Sequence, residues 1–191
     1  MARVSKISPA LKKRAANIKL ILMDVDGTMT DGSVTLLSQT DGTALEIKTF
    51  DAHDGQGLTL AHSAGLRTGC ITGRESAALL RRAHEMKMEF IYMKQPVKMP
   101  AYEEILRKTG TPDATVAYIG DDLPDIPLMR RAGLAIAVGD AGRRAGRVVG
   151  CGGNQVRCSG GGGIRSTLAI QPVGHGRPKR SRHRIRPAGH R

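Results

Sequence analysis

Aromatic side chains are scarce in this sequence: two Phe, three Tyr and no Trp in 191 residues, 3% of the whole. The hydrophobic fraction of 40% is nonetheless ordinary for a soluble globular protein. No run of 18 or more apolar residues occurs, which argues against a membrane-spanning helix. Residues 1–17 carry Arg3, Lys6, Lys12, Lys13 and Arg14 but no apolar signal core, so they read as an N-terminal extension and not as a secretory signal. Cysteine is limited to Cys70, Cys151 and Cys158, an odd number at no metal-ligand spacing. That argues against a disulfide framework and fits a reducing cytoplasm. The last absence is of acid: residues 141–191 hold eleven Arg, one Lys and no Asp or Glu.

What is present divides the chain in two. Of the net charge of +13, +12 resides in residues 141–191, so the 140 residues before them are almost neutral. Residues 18–140 alternate short apolar runs with helical patterns. The stretches 20–25, 67–72, 90–92, 115–119 and 134–138 read as strands, and 57–64, 75–88, 98–108 and 124–131 as helices, the third ending at Gly110. Residues 34–37 and 44–48 flank Asp41-Gly42 and read as a β-hairpin. Strand and helix in alternation imply an α/β fold: a Rossmann-like parallel sheet with helices on both faces, whose ligands bind beyond the carboxyl ends of the strands. Residues 141–191 break that rhythm with twelve glycines and a terminal stretch rich in Arg, Pro and His. They read as a basic tail that is disordered, or that is the product of a lost reading frame.

Four strand ends carry polar residues suited to phosphoryl transfer. After the first strand come Asp24-Val25-Asp26-Gly27-Thr28. Two carboxylates two residues apart at a strand end face one cleft, and Gly27 allows a sharp turn beyond them. One carboxylate can attack phosphorus while the other protonates the leaving oxygen and then activates water. Alone, the motif also fits a turn, or a calcium loop whose further ligands are missing here. Thr72-Gly73-Arg74 offers a hydroxyl, backbone N–H groups and a guanidinium for an anion, although Thr72 can equally cap the following helix. Lys98 can balance charge on phosphoryl oxygens, or be an ordinary surface lysine. Gly120-Asp121-Asp122-Leu123-Pro124-Asp125 places three carboxylates where a hard cation such as Mg²⁺ would sit, with Asp122 also suited to cap a helix. Nucleophile, acid/base, positive charge and metal ligands in this order meet the needs of the reaction together.

These four motifs resemble those of the haloacid dehalogenase superfamily. The resemblance implies that Asp24 is the phosphorylated nucleophile and Asp26 the general acid/base. Thr72 and Lys98 would bind and stabilise the phosphoryl group. Asp24, the backbone carbonyl of Asp26, and Asp121 would hold Mg²⁺, supported by Asp122 and Asp125. With the hairpin, the run 50–57 and Ile71, the chain over residues 18–140 more narrowly resembles the 3-deoxy-D-manno-octulosonate 8-phosphate phosphatases. That similarity implies a hairpin insertion in place of a cap domain, a homotetramer whose hairpins form a barrel, and a small acidic sugar phosphate as substrate. It also implies substrate contacts from Asp26, Asp51, Ala52, His53, Asp54, Gly55, Thr59, Gly73, Arg74, Arg82 and Lys98. His53 and Thr59 depart from the family, which often has arginine there, and residues 141–191 depart from it in acidity and in lacking a closing helix. A competing reading is a weak or inactive phosphatase fold whose basic tail holds nucleic acid non-specifically. The presence of both Asp24 and Asp26 argues against it.

Overall fold

The apolar runs of the sequence become strands that lie side by side and disappear from solvent. The computed structural model describes residues 8–138 and the strand Gln155–Arg157. Strand β1 (Leu20–Met23) is buried along its whole length. It lies between β4 (Arg67–Ile71) and β6 (Val116–Gly120), parallel to both, with Leu22 opposite Gly69 on one side and Tyr118 on the other. β5 (Phe90–Tyr92) continues the sheet beyond β4, and β7 (Leu134–Ala137) and β8 (Gln155–Arg157) continue it beyond β6, giving the order β5-β4-β1-β6-β7-β8. All these pairings are parallel. Strands covered on both faces need no polar alternation, which is why they read as continuous apolar runs. The strand order reverses direction between β1 and β6, the crevice where parallel sheets bind ligands.

The helices cap as their sequences dictate. Helix α2 (Ala52–Ser63) starts at an Asp51 carboxylate that accepts from the His53 N–H at 2.8 Å. It thus begins five residues before the sequence pattern suggests. Helix α3 (Ala77–Glu85) is capped by Ser76, which accepts from the Leu79 N–H at 3.3 Å. Capping therefore does not account for Thr72. Helix α4 (Met99–Thr109) closes at Gly110, whose φ of 63° is the left-handed conformation that a glycine adopts at least cost. Helix α5 (Ile126–Arg131) follows a single turn of 3₁₀ helix, Leu123–Asp125, so the one helix expected over 124–131 is split.

Two features lay outside the sequence reading. Residues Pro9–Ala16 of the N-terminal extension form a helix, α1, capped by Ser8, with Leu11 and Ala15 packed on the core. β8, within the segment read as a tail, pairs in register with β7, Ala135 facing Gln155 and Ala137 facing Arg157. The remainder of that segment, and with it the disordered-tail and lost-frame readings, lies outside the described residues. The hairpin β2–β3 (Thr35–Ser38 and Ala44–Ile47) forms as expected but as a sheet of its own. Among the described residues no helix is long and apolar enough to cross a membrane.

Candidate active site

The site is assembled where β1, β4 and β6 end. The backbone N–H of Asp24 donates to the carbonyl of Ile119 at 2.9 Å, carrying the β1–β6 pairing up to the first carboxylate. Asp24 is buried while Val25 is fully enclosed on the opposite side, the alternation a strand end requires. Gly27 follows with φ +87°. A Cβ there would stand 2.1 Å from Asp121 Oδ2, so only glycine lets the β6 carboxylate lie against the β1 loop. Thr28 secures that carboxylate by donating its hydroxyl to Asp121 Oδ1 at 3.0 Å.

Lys98 is no surface lysine: its side chain is only 5% exposed. At the N-cap position of α4 it makes no side-chain cap. Its ammonium instead enters the sheet end, 2.6 Å from Asp24 Oδ1 and 2.7 Å from Asp125 Oδ1. Asp125 is wholly buried and surrounded by donors. Its Oδ1 also accepts from the Tyr118 hydroxyl at 2.8 Å, and its Oδ2 accepts from the N–H groups of Asp121 and Asp122 at 3.2 Å each. Burial, and then the charges of Asp125 and Asp24, push the Tyr118 phenol far above its ordinary value, so it remains a donor.

One ammonium therefore serves two buried carboxylates. Burial, aided by the charge of Asp125 and opposed by Lys98, raises the Asp24 carboxyl to about 7. Burial likewise raises Asp121 to about 6, with the Thr28 hydrogen bond working against it. Burial alone would lower Lys98, but Asp125 and Asp24 outweigh it and hold the amine above its ordinary range. The cluster carries more negative charge than its one lysine balances. Carboxylate oxygens of Asp24, Asp121 and Asp125 lie within 4.8 Å of one another. An all-oxygen donor set with surplus negative charge fits a hard divalent cation of the Mg²⁺ kind. Because Asp125 already accepts four hydrogen bonds, Asp24 and Asp121 are the donors with capacity left for a cation. Asp122 is exposed and contributes its N–H to Asp125, with its carboxylate outside the trio.

Asp26 faces a different neighbourhood. Its Oδ1 pairs with the ammonium of Lys48, immediately after β3, and Arg74 Nε stands 3.9 Å from its Oδ2. Arg74 Nη2 donates to Glu46 Oε1 at 2.6 Å. Burial pushes Glu46 up, but hydrogen bonds from Ser76 and Arg74 and the charge of Lys48 outweigh it and hold the carboxyl below its ordinary value. The buried Thr72 joins β4 to the next loop, accepting from the Gln95 N–H on its carbonyl and from the Arg74 N–H on its hydroxyl, while Gly73 stands open in front of Gln95 and Pro96.

The remaining expected contacts gather where α2 meets α3. Arg82 Nη2 donates to the Asp51 carbonyl at 3.4 Å and lies 3.0 Å from where a Cβ of Gly55 would be. His53 Nδ1 is 2.8 Å from Asp51 Oδ1. Ala52 is exposed and Asp54 buried in the same first turn. Thr59 uses its hydroxyl within its own helix, donating to the Gly55 carbonyl at 2.9 Å. Lys48, Glu46 and Tyr118 were not singled out from the sequence, and Thr28 stood there only as the end of the first motif, without a role. The alternation Leu45-Glu46-Ile47-Lys48 does place both charges on one face of the hairpin, but their partners Asp26 and Arg74 are more than twenty residues away in the chain.

Comparison with known proteins shows the family. The family model of haloacid dehalogenase-like hydrolases matches residues 75–149. The chain is 40% identical over 129 residues to the 3-deoxy-D-manno-octulosonate 8-phosphate phosphatase of Yersinia pestis, covering 68% of this chain and 67% of that protein. It is 34% identical over 135 residues to the phosphatase of the same name from Salmonella typhimurium, covering 71% and 70%. The crystal structure of the Moraxella catarrhalis phosphatase, in complex with magnesium, phosphate and KDO, superposes with a TM-score of 0.74 at 34% identity, over 84% of this chain and 89% of that one. The chain belongs to the 3-deoxy-D-manno-octulosonate 8-phosphate phosphatase family of haloacid dehalogenase-like hydrolases.

Proposed function

We propose that this chain is a Mg²⁺-dependent phosphatase that hydrolyses a small acidic sugar phosphate, 3-deoxy-D-manno-octulosonate 8-phosphate, through an aspartyl phosphate on Asp24. The observation that carries the reading is the placement of the Asp24 carboxylate, buried, 2.6 Å from the Lys98 ammonium and grouped with Asp121 across Gly27. A nucleophile so placed is held by Oδ1 and leaves Oδ2 to form the new bond.

The ion would be held by Asp24, Asp121 and the backbone carbonyl of Asp26, with Asp125 and Asp122 behind them. When bound it supplies positive charge that offsets repulsion between Asp24 and the phosphoryl oxygens. Asp24 forms an O–P bond as the ester O–P bond breaks, and Asp26 gives the departing sugar oxygen its proton. Asp26 then takes a proton from water, whose oxygen displaces Asp24 and releases inorganic phosphate. Lys98 steadies the charge on Asp24 and on the transferring group, while Thr72 and Gly73 line the approach. Arg74, Arg82 and the first turn of α2, residues 51–55, with Thr59 one turn on, are assigned to the sugar. Family membership favours this reading over a binding role for the basic tail.

The hairpin supports a homotetramer. Leu36, Leu37, Leu45 and Ile47 are exposed on a two-stranded sheet, and an isolated hairpin is marginal in water. Cytoplasmic location is proposed on the same family grounds. The test is phosphate release from a panel of sugar phosphates with and without Mg²⁺. The expected result is metal-dependent release, strongest on the eight-carbon acidic sugar, that falls by about 10³-fold or more in Asp24→Asn. Equal activity in the variant, or release that ignores the metal, would overturn the reading.

A further inference from the structure

The proposed reaction leaves one buried cation without a task. Lys48 projects from the foot of the exposed hairpin, yet its side chain is 3% exposed, against 23% for the Asp26 side chain that it meets. Burying an ammonium costs several kcal/mol unless a fixed partner compensates. Here the partners are Asp26 Oδ1, in direct contact, and Glu46 Oε1 at 3.7 Å. Glu46 Oε1 is itself engaged by Arg74 at 2.6 Å, so the two cations share one carboxylate oxygen. The two oxygens of Asp26 thus differ: Oδ1 is bound by the enclosed ammonium, and Oδ2 lies 3.9 Å from the Arg74 Nε, beyond hydrogen-bond range.

We propose that Lys48 is a positioning residue that, by holding Oδ1, aims Oδ2 of Asp26 at the leaving oxygen of the substrate. The inference rests on the phosphatase reading above. In the first step the Asp24 O–P bond forms and the sugar O–P bond breaks. The proton on Asp26 Oδ2 passes to the sugar oxygen. Lys48 transfers nothing and touches no reacting atom; it restricts the rotation of one carboxyl group. Its enclosure argues for this task over direct capture of a substrate anion.

The test compares two substrates in the full-length protein. Expulsion of a sugar alkoxide needs the proton, whereas p-nitrophenolate leaves without one, and kcat/KM on the aryl ester reports only the first P–O cleavage. General acid catalysis is worth about 10²–10⁴-fold, so Lys48→Met is expected to lower the ratio of kcat/KM on 3-deoxy-D-manno-octulosonate 8-phosphate to that on p-nitrophenyl phosphate by about 100-fold. The loss falls on kcat and not on KM for the sugar phosphate. Asp26→Asn lowers the same ratio, and Lys48→Arg restores most of it. The ratio does not depend on the fraction of protein folded, so a destabilised variant still reports. An unchanged ratio, or a loss confined to KM, would overturn the proposal. Wild-type protein inactive on both substrates would instead overturn the phosphatase reading on which it rests.

Discussion

The parallel sheet and the hairpin are both β-structure, and they solve opposite problems. β1, β6 and β7 are buried along their lengths, and the carboxylates at the ends of β1 and β6 inherit that enclosure. Every strand residue of β2 is exposed, and β3 is nearly so. The groups that meet phosphorus in the proposed reaction stand on the rigid region, where burial raises Asp24 and Asp121 and backbone donors hold Asp125. The groups that condition Asp26 and Arg74 arrive on an arm that a single chain leaves largely uncovered. A strong, fixed electrostatic site needs low dielectric. The sheet provides it along whole strands, whereas the hairpin provides it only at its foot, where Lys48 is enclosed against Asp26.

Substitutions that separate the two regions differ in size. Lys98→Met, in the sheet region, leaves Asp24 and Asp125 buried against each other without a cation. It should cost about 3–5 kcal/mol in urea unfolding as well as activity, because a buried pair broken on one side strands a charge. A loss below 1 kcal/mol would mean that the site is wetter than its burial implies. Gly27→Ala comes next. Its Cβ would overlap Asp121, and its φ of +87° strains any other residue, so about 1–3 kcal/mol of strain is expected. The displaced carboxylate should also raise the Mg²⁺ concentration for half-maximal activity by about 10-fold. An unchanged Mg²⁺ requirement would remove Asp121 from the ion's site.

A pH series tests the charge surplus directly. Asp24 moves from an ordinary 3.8 to about 7 and Asp121 from 3.8 to about 6 in the fold. Both are raised, so their protonated forms fit the fold better. Their contribution is complete below about 3.8 and fades as pH climbs through 6 and 7. Metal-free protein should therefore melt at progressively lower temperature between pH 5 and pH 8, and the rise in Tm on adding Mg²⁺ should grow over the same interval. A Mg²⁺ effect independent of pH would break the link between the buried carboxylates and the metal. The smallest effect belongs to the hairpin's apolar face. Leu37→Ser with Leu45→Ser should change unfolding of the isolated chain by no more than about 0.5 kcal/mol while weakening self-association in sedimentation. A large loss of core stability would show that the two regions are not separable.

Much of the fold was legible because its signals are local. The runs that became β1, β4, β5, β6 and β7 are short, apolar and punctuated by Gly, Asp or Thr, and the hairpin announces itself in Asp41-Gly42. Element edges moved where a cap outweighed periodicity, as Asp51 did for α2 and Ser76 for α3. Helix α1 was missed because Ser8 and Pro9 start it while its apolar face is only two residues wide. β8 was missed because three residues in a glycine-rich setting show no pattern until β7 supplies an edge to pair with.

By itself the sequence determined the parallel architecture, the presence at strand ends of Asp24, Asp26, Thr72 and Asp121, and that of Lys98 at a helix start, since period and punctuation are properties of neighbours in the chain. Tertiary structure alone decided how those groups share charge: that Lys98 is enclosed between Asp24 and Asp125, that Asp125 spends its oxygens on Tyr118 and two backbone donors, and that Lys48 reaches Asp26. The ion pairs among these join residues 22, 27 and 74 positions apart. Their energies depend on burial, and burial is set by packing.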